Sequence, residues 1–114
     1  EYAKAYQRAP ASAAVASRRI WGLLALEDWE GALETADRAL SLYPELPVLW
    51  YRKGSALLRL ERPEEAAEAF EALMEINPFH LPGRRGLLAA ARRLGDEELA
   101  ARQEGILRIL EQEE

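Results

Sequence analysis

Residues 47–80 read PVLWYRKGSALLRLERPEEAAEAFEALMEINPFH. The stretch holds two segments in which apolar or small side chains recur at three- and four-residue steps: Trp50, Gly54, Leu57 and Leu58, then Ala66, Phe70, Leu73 and Met74. That spacing is typical of amphipathic helices. A proline begins each segment, where a first helical turn does not need the missing N–H, and Pro78 stops the second. The stretch therefore predicts two helices, near 47–60 and 63–76, whose apolar stripes face each other.

The same pattern recurs along the chain with a period of 34 residues, the distance between Pro10, Pro44 and Pro78. At this period three alanines also fall in register: Ala32, Ala66 and Ala100. Internal periods of this length indicate an array of small helical units. We therefore divide the chain into repeats at 13–46, 47–80 and 81–114, and residues 1–10 correspond to the tail of a preceding helix or repeat. Helices are predicted near 13–26, 29–42, 81–94 and 97–111 as well, with a helical remnant at 1–8.

At these positions the sequence resembles the tetratricopeptide repeat (TPR) family, whose 34-residue unit is a helix-turn-helix. The middle repeat matches best, with five family residues at their usual places: Trp50, Gly54, Ala66, Phe70 and Pro78. The first repeat departs from the pattern with Ile20 where a small residue is usual, and the third with Leu88 and Glu104. The resemblance implies an all-α fold, a right-handed α-solenoid of about three such units plus an N-terminal partial helix, in a single domain over 1–114.

Composition excludes most other classes of function. The 114 residues include no Cys and one His, which excludes thiolate metal sites, cysteine nucleophiles and histidine clusters. We predict no catalytic residues, no cofactor and no metal. The longest apolar run, 20–26, is too short for a membrane span of roughly 20 residues, so no direct membrane insertion is expected. A net charge of −5 argues against nucleic acid as the partner. The sequence makes no prediction of the cellular compartment.

The family resemblance implies that the first helix of each repeat lines a concave groove that binds a peptide or a helix of a partner protein. The positions that touch such a ligand in the family give this groove: Trp21, Leu24, Tyr51, Ser55, Arg59, Arg85, Ala89 and Arg92. The set is apolar and aromatic towards its N-terminal side and basic towards its C-terminal side. We therefore expect the partner to be a protein or peptide that is amphipathic and partly acidic, bound by a non-catalytic interaction module or scaffold.

Alternatives to this groove stay open at the level of sequence. The aromatic residues Trp21 and Tyr51 could instead pack against neighbouring helices, and their exposure distinguishes the two interpretations. Between residues 81 and 95 there are four Arg and no acid, whereas 61–75 holds six Glu, so the arginines could serve inter-helix salt bridges. The residues that correspond to the family's clamp for chaperone C-termini include no Asn, which argues against that ligand.

A different class of function is structural. The last helix carries more apolar residues than one internal face requires: Leu99, Ile106, Leu107, Ile109 and Leu110. Terminal units of repeat arrays usually have a polar outer face. The chain could therefore be a self-assembly element that forms a homo-oligomer through its terminal helices.

Overall fold

A computed structural model describes residues 11–112 of the chain, and the helical remnant predicted at 1–8 lies outside them. The described residues form six α-helices and no strand: α1 Ala11–Ala25, α2 Trp29–Leu42, α3 Pro47–Arg59, α4 Pro63–Ile76, α5 Leu81–Leu94 and α6 Glu97–Gln112. Each helix packs against its neighbours in the chain, and α3 also contacts α1 and α5. The all-α prediction is confirmed, and the predicted helix boundaries agree with the structure within two residues.

The helices begin and end at the residues that helix chemistry favours. The side chain of Asp28 accepts a hydrogen bond from the backbone N–H of Gly31, 3.0 Å away, and Asp96 Oδ1 accepts one from Leu99 N at 3.1 Å. Both are N-caps, which satisfy backbone donors that have no partner inside the helix. Prolines occupy the first turns of α3, α4 and α5. These local signals explain why the boundaries were predictable.

The turn inside each repeat has the same backbone conformation. Gly95 follows α5 in the left-handed region with φ 72°, and Glu27 and Glu61 hold the equivalent places with φ 61° and 60°. Glycine adopts this conformation without steric cost, so Gly95 is a sequence signal for a sharp turn. The two glutamates carry no such signal, and only their distances of one and two 34-residue periods from Gly95 indicate the shared turn.

The core forms two clusters of buried side chains. One centres on α1 and α2 and contains Ile20 and Ala36; the other centres on α4 and contains Phe70. Phe70, 1% exposed, lies where Gly54 and Gly86 face it from α3 and α5. Repeat 1 reverses the sizes at the equivalent pair of positions, with the large Ile20 on its first helix and the small Ala36 on its second, both fully buried. The departure at Ile20 is therefore compensated by its partner position, since cores tolerate swaps that keep the volume.

Arg84 is buried between the second and third repeats, with 8% of its surface exposed. Its Nη1 donates to Gln103 Oε1 at 2.7 Å and its Nη2 donates to the carbonyl oxygen of Pro78 at 2.8 Å. Burial lowers the pKa of this guanidinium, because a low-dielectric surrounding disfavours the charged form. Arg84 therefore ties α5 to both the preceding turn and α6 and is not available to a ligand.

Candidate protein-interaction groove

A groove of about 440 Å³ lies between the first two repeats. Its walls come from the C-terminal half of α1, the start of α2 and one face of α3: Trp21, Leu24, Ala25, Trp29, Tyr51, Arg52, Ser55 and Arg59. The structure thus brings together five of the eight residues predicted for the groove. They meet because successive first helices of the repeats, α1 and α3, lie in contact.

Trp21 is the most prominent side chain of the groove, with 61% of its surface exposed. Helical packing against a neighbour does not account for a tryptophan in this state, because large aromatic rings are highly buried when they serve a core. Leu24, one helical turn further on, is half-buried and packs against the core beneath it. Trp21 therefore offers an apolar surface that no other part of residues 11–112 covers.

Tyr51 has the opposite character. It is half-buried, its ring centroid lies 6.2 Å from that of Phe70 and 5.5 Å from that of His80, and its carbonyl oxygen accepts a hydrogen bond from Ser55 Oγ at 2.9 Å. The ring is held in place by its neighbours, so Tyr51 forms a fixed wall of the groove. Tyr51 thus packs against Phe70 and His80 and also lines the groove, and its contact with a ligand stays a prediction.

His80 supports that wall from the turn before α5. Its Nδ1 accepts a hydrogen bond from the backbone N–H of Gly83 at 2.9 Å and caps the helix. Burial lowers the pKa of His80, because the charged form loses solvation. The neutral imidazole is the form that can accept this hydrogen bond.

Two guanidinium groups line the groove beside the aromatic rings. The Arg59 guanidinium lies 5.3 Å from the centroid of the Trp29 ring, a cation–π arrangement. Arg52 Nε donates to Ser17 Oγ at 3.4 Å. Trp29 and Arg52 were not among the residues predicted for the groove. A signal for Trp29 was present, because it is an aromatic residue directly after the turn of repeat 1, where the other repeats have proline and glutamate.

The three remaining predicted residues, Arg85, Ala89 and Arg92, do not line this groove. Arg85 pairs with Glu111 at 2.5 Å and Arg92 pairs with Glu104 at 2.8 Å, both across to α6. The alternative of inter-helix salt bridges thus describes how these arginines lie in the structure, because α6 supplies the acids that α5 lacks. Their role in binding a partner stays a prediction.

Arg93, next to Arg92, also has partners within the chain. It donates to the carbonyl oxygen of Leu58 and pairs with Glu61 at 3.0 Å, so it links repeats 2 and 3.

Among residues 11–112 no group of three or more His, Asp or Glu side chains is arranged to hold a metal ion. Nor does this part of the chain contain a helix long and apolar enough to cross a membrane.

Comparison with known proteins relates this architecture to a repeat family. The tetratricopeptide repeat profile matches residues 21–95. Among proteins of curated function, none matches the sequence significantly. Solved structures of TPR domains superpose on most of the chain at low sequence identity, so the likeness to them is one of fold.

The TPR domain of Sgt2 from Aspergillus fumigatus has a TM-score of 0.82 at 19% identity, and the match covers 88% of this chain and 66% of that one. The first TPR domain of human RPAP3 has a TM-score of 0.83 at 20% identity, covering 90% and 80%. The second TPR of Spaghetti (RPAP3), solved with the HSP90 peptide SRMEEVD, has a TM-score of 0.82 at 18% identity, covering 86% and 91%.

Proposed function

Because the chain belongs to the tetratricopeptide repeat family, whose fold serves protein interaction, we propose that it is a non-catalytic module that binds a peptide or helix of a partner protein. The ligand lies in the groove between the first two repeats. The observation that carries this proposal is the exposure of Trp21 on a wall of that groove.

The exposed tryptophan supplies a driving force for association. A Trp side chain presents up to about 250 Å², so covering the 61% that is exposed removes on the order of 150 Å² from water, worth about 4 kcal/mol at most. Ordering of the partner offsets part of this gain. A fixed aromatic wall at Tyr51 reduces the cost on the side of the protein, because its ring is already held by Phe70 and His80.

The match to a TPR domain solved with a peptide supports the class of ligand. It does not carry over the ligand itself, because the clamp that grips chaperone C-termini uses Asn side chains and this groove has none. We infer a partner that is amphipathic, with apolar side chains for Trp21 and Leu24, and partly acidic. Nucleic acid is disfavoured by the net charge of −5.

A display library of random sixteen-residue peptides tests the proposal. Peptides selected on the 114-residue chain are synthesised, and their affinities are measured by calorimetry for the wild type and two groove variants. Trp21→Ala removes the exposed ring, and Ser55→Trp fills the groove. Phe79→Ala is the matched control, since Phe79 is 72% exposed in a turn and does not line the groove.

We expect both groove variants to weaken binding at least tenfold and Phe79→Ala to leave it unchanged. Selected peptides that bind all four proteins equally would refute a ligand site in this groove. Circular dichroism of each variant checks that the helices are intact.

The second candidate, a self-assembly element, is favoured by exposed apolar side chains on the first and last helix pairs. Leu42 at the end of α2 is 71% exposed and Ile109 on α6 is 61% exposed. Size-exclusion chromatography with light scattering distinguishes the candidates, because assembly through these helices requires a mass that rises with concentration. A strict monomer at high concentration would remove this alternative.

A further inference from the structure

Arg59 stands apart from the arginines of α5 in its surroundings. Arg85, Arg92 and Arg93 each lie within 4 Å of a carboxylate. Arg59 is exposed on the groove, and no carboxylate of residues 11–112 lies within that distance of its guanidinium. The described chain supplies Arg59 with an aromatic ring but with no counter-charge.

An aromatic ring lies beside this charge. Trp29 is half-buried at the first residue of α2, and the Arg59 guanidinium lies over it. Stacking uses the flat face of a guanidinium and leaves its N–H groups, which point outward in the plane, free to donate. Two parallel N–H groups match the two oxygens of a carboxylate. Arg59 is therefore arranged as a carboxylate receptor at the edge of an apolar groove.

The same arrangement decides against a cationic ligand. Trp21, Trp29 and Tyr51 line one groove, and aromatic residues grouped in this way can bind quaternary ammonium groups. Here Arg59 already covers the Trp29 ring and brings positive charge to the wall of the groove. A bound cation would be repelled at short range, whereas an anionic group would be attracted.

We propose that Arg59 binds the side-chain carboxylate of an Asp or Glu of the partner, next to an apolar side chain that covers Trp21. The proposal rests on the protein-binding function of the groove and adds the chemistry of its ligand. A side chain rather than a C-terminal carboxylate fits the site, because Arg59 lies at the exposed edge and the nearby Ser55 hydroxyl already donates to Tyr51. The acid is thus recognised between repeats 1 and 2, whereas Arg85 and Arg92 of α5 serve the contact with α6.

The test uses peptides selected from the sixteen-residue library, synthesised with an amidated C-terminus so that only side-chain carboxylates remain. Affinities are measured for the wild type, Arg59→Gln, Arg59→Lys and the double variant Arg85→Gln/Arg92→Gln. Arg102→Gln is the control for the loss of one exposed positive charge, since Arg102 pairs with Glu98 on its own helix. Each peptide is also made with its acidic residues changed one at a time to the amide.

We expect the selected peptides to carry an acid close to an apolar residue, and Arg59→Gln to weaken binding about three- to tenfold. Arg59→Lys should recover only part of the affinity, because an ammonium cannot bind bidentately. Changing the critical Asp or Glu of the peptide to its amide should cause the same loss as Arg59→Gln, and the two changes together should cost little more than one. The α5 double variant should behave like Arg102→Gln.

Two outcomes would overturn the inference in different ways. If Arg59→Gln binds the peptides as well as Arg102→Gln does, while Trp21→Ala still weakens them, the groove binds peptides without acid recognition by Arg59. If Trp21→Ala has no effect either, the proposed function fails together with the inference. Loss of binding in the Arg85→Gln/Arg92→Gln variant alone would show that the arginines of α5, and not Arg59, bind the acid of the peptide.

Discussion

Replacing Gly86 by alanine tests whether the close contact at Phe70 holds repeats 2 and 3 together. A Cβ at Gly86 would lie 2.5 Å from Phe70 Cε1, and on the other side a Cβ at Gly54 would lie 2.6 Å from the same atom. Carbon atoms in contact are normally about 3.5–4.0 Å apart, so the added methyl group requires a displacement of about 1 Å. Phe70 is 1% exposed and has no room to move away.

The expected change in stability follows from two opposing effects. Alanine favours a helix interior over glycine by about 1 kcal/mol. Overpacking of a tight core costs about 1–3 kcal/mol, and an overlap of this size against a confined ring belongs at the upper end. We therefore expect Gly86→Ala to lower the free energy of unfolding by about 2 kcal/mol.

Gly105→Ala provides the matched control, because Gly105 lies inside α6 and a Cβ there would meet nothing within 4 Å. This variant keeps the gain in helix propensity without the overlap, so it should be stabilised by up to about 1 kcal/mol. Urea denaturation followed by circular dichroism measures both free energies. In the background of Phe70→Leu, where the ring is absent, Gly86→Ala should no longer destabilise the protein.

A Gly86→Ala variant as stable as Gly105→Ala would refute the reasoning. It would mean that Phe70 can move aside at little cost, and that the pairing of glycine with a large ring does not fix the distance between these helices. A loss that persists unchanged in the Phe70→Leu background would place the strain elsewhere than at the ring.

Two further predictions concern polar side chains, one pair buried and one residue half-buried. Gln103→Leu leaves the buried Arg84 Nη1 without its acceptor, so calorimetry should show a free energy of unfolding lower by about 1–3 kcal/mol. Combining Arg84→Met with Gln103→Leu should restore most of that stability, and a double variant less stable than Gln103→Leu would contradict this account. The pKa of His80 is lowered in the folded state, so the unfolded chain binds the proton more readily. The contribution of His80 to the free energy of unfolding is therefore fully present above its unfolded pKa of about 6.5 and is lost as the pH falls below that value. Urea denaturation between pH 7.5 and pH 5 should therefore show that the free energy of unfolding falls more steeply with pH for the wild type than for His80→Asn. The asparagine can accept the hydrogen bond from Gly83 N as a cap but does not titrate. An equal fall in both proteins would exclude His80 as the cause.

The groove was only partly predictable from the sequence, for a physical reason. The family that the sequence resembles implied Trp21, Leu24, Tyr51, Ser55 and Arg59, and these residues of α1 and α3 do line one groove. Trp29 belongs to the second helix of repeat 1, yet it lines the groove, and the guanidinium of Arg59 from α3 lies over its ring. No local rule predicts that contact, because it depends on how far the two helices separate.

Local features of the amino-acid sequence set the helices, their ends and the repeat. Caps, prolines and the 34-residue period act over a few residues along the chain, so they can be read without knowing the fold. Which charges remain available to a partner was decided by the tertiary structure. The four arginines of α5 are basic residues without a nearby acid in the sequence, yet α6 folds back alongside α5 and supplies partners for three of them, Arg84, Arg85 and Arg92. The fourth, Arg93, pairs with Glu61 of repeat 2. Arg59 was one basic residue among many in the sequence, and packing placed it on the groove over an aromatic ring, without a carboxylate from residues 11–112. Pairing of charges depends on the distance between side chains remote in sequence, and only the assembled helices set that distance.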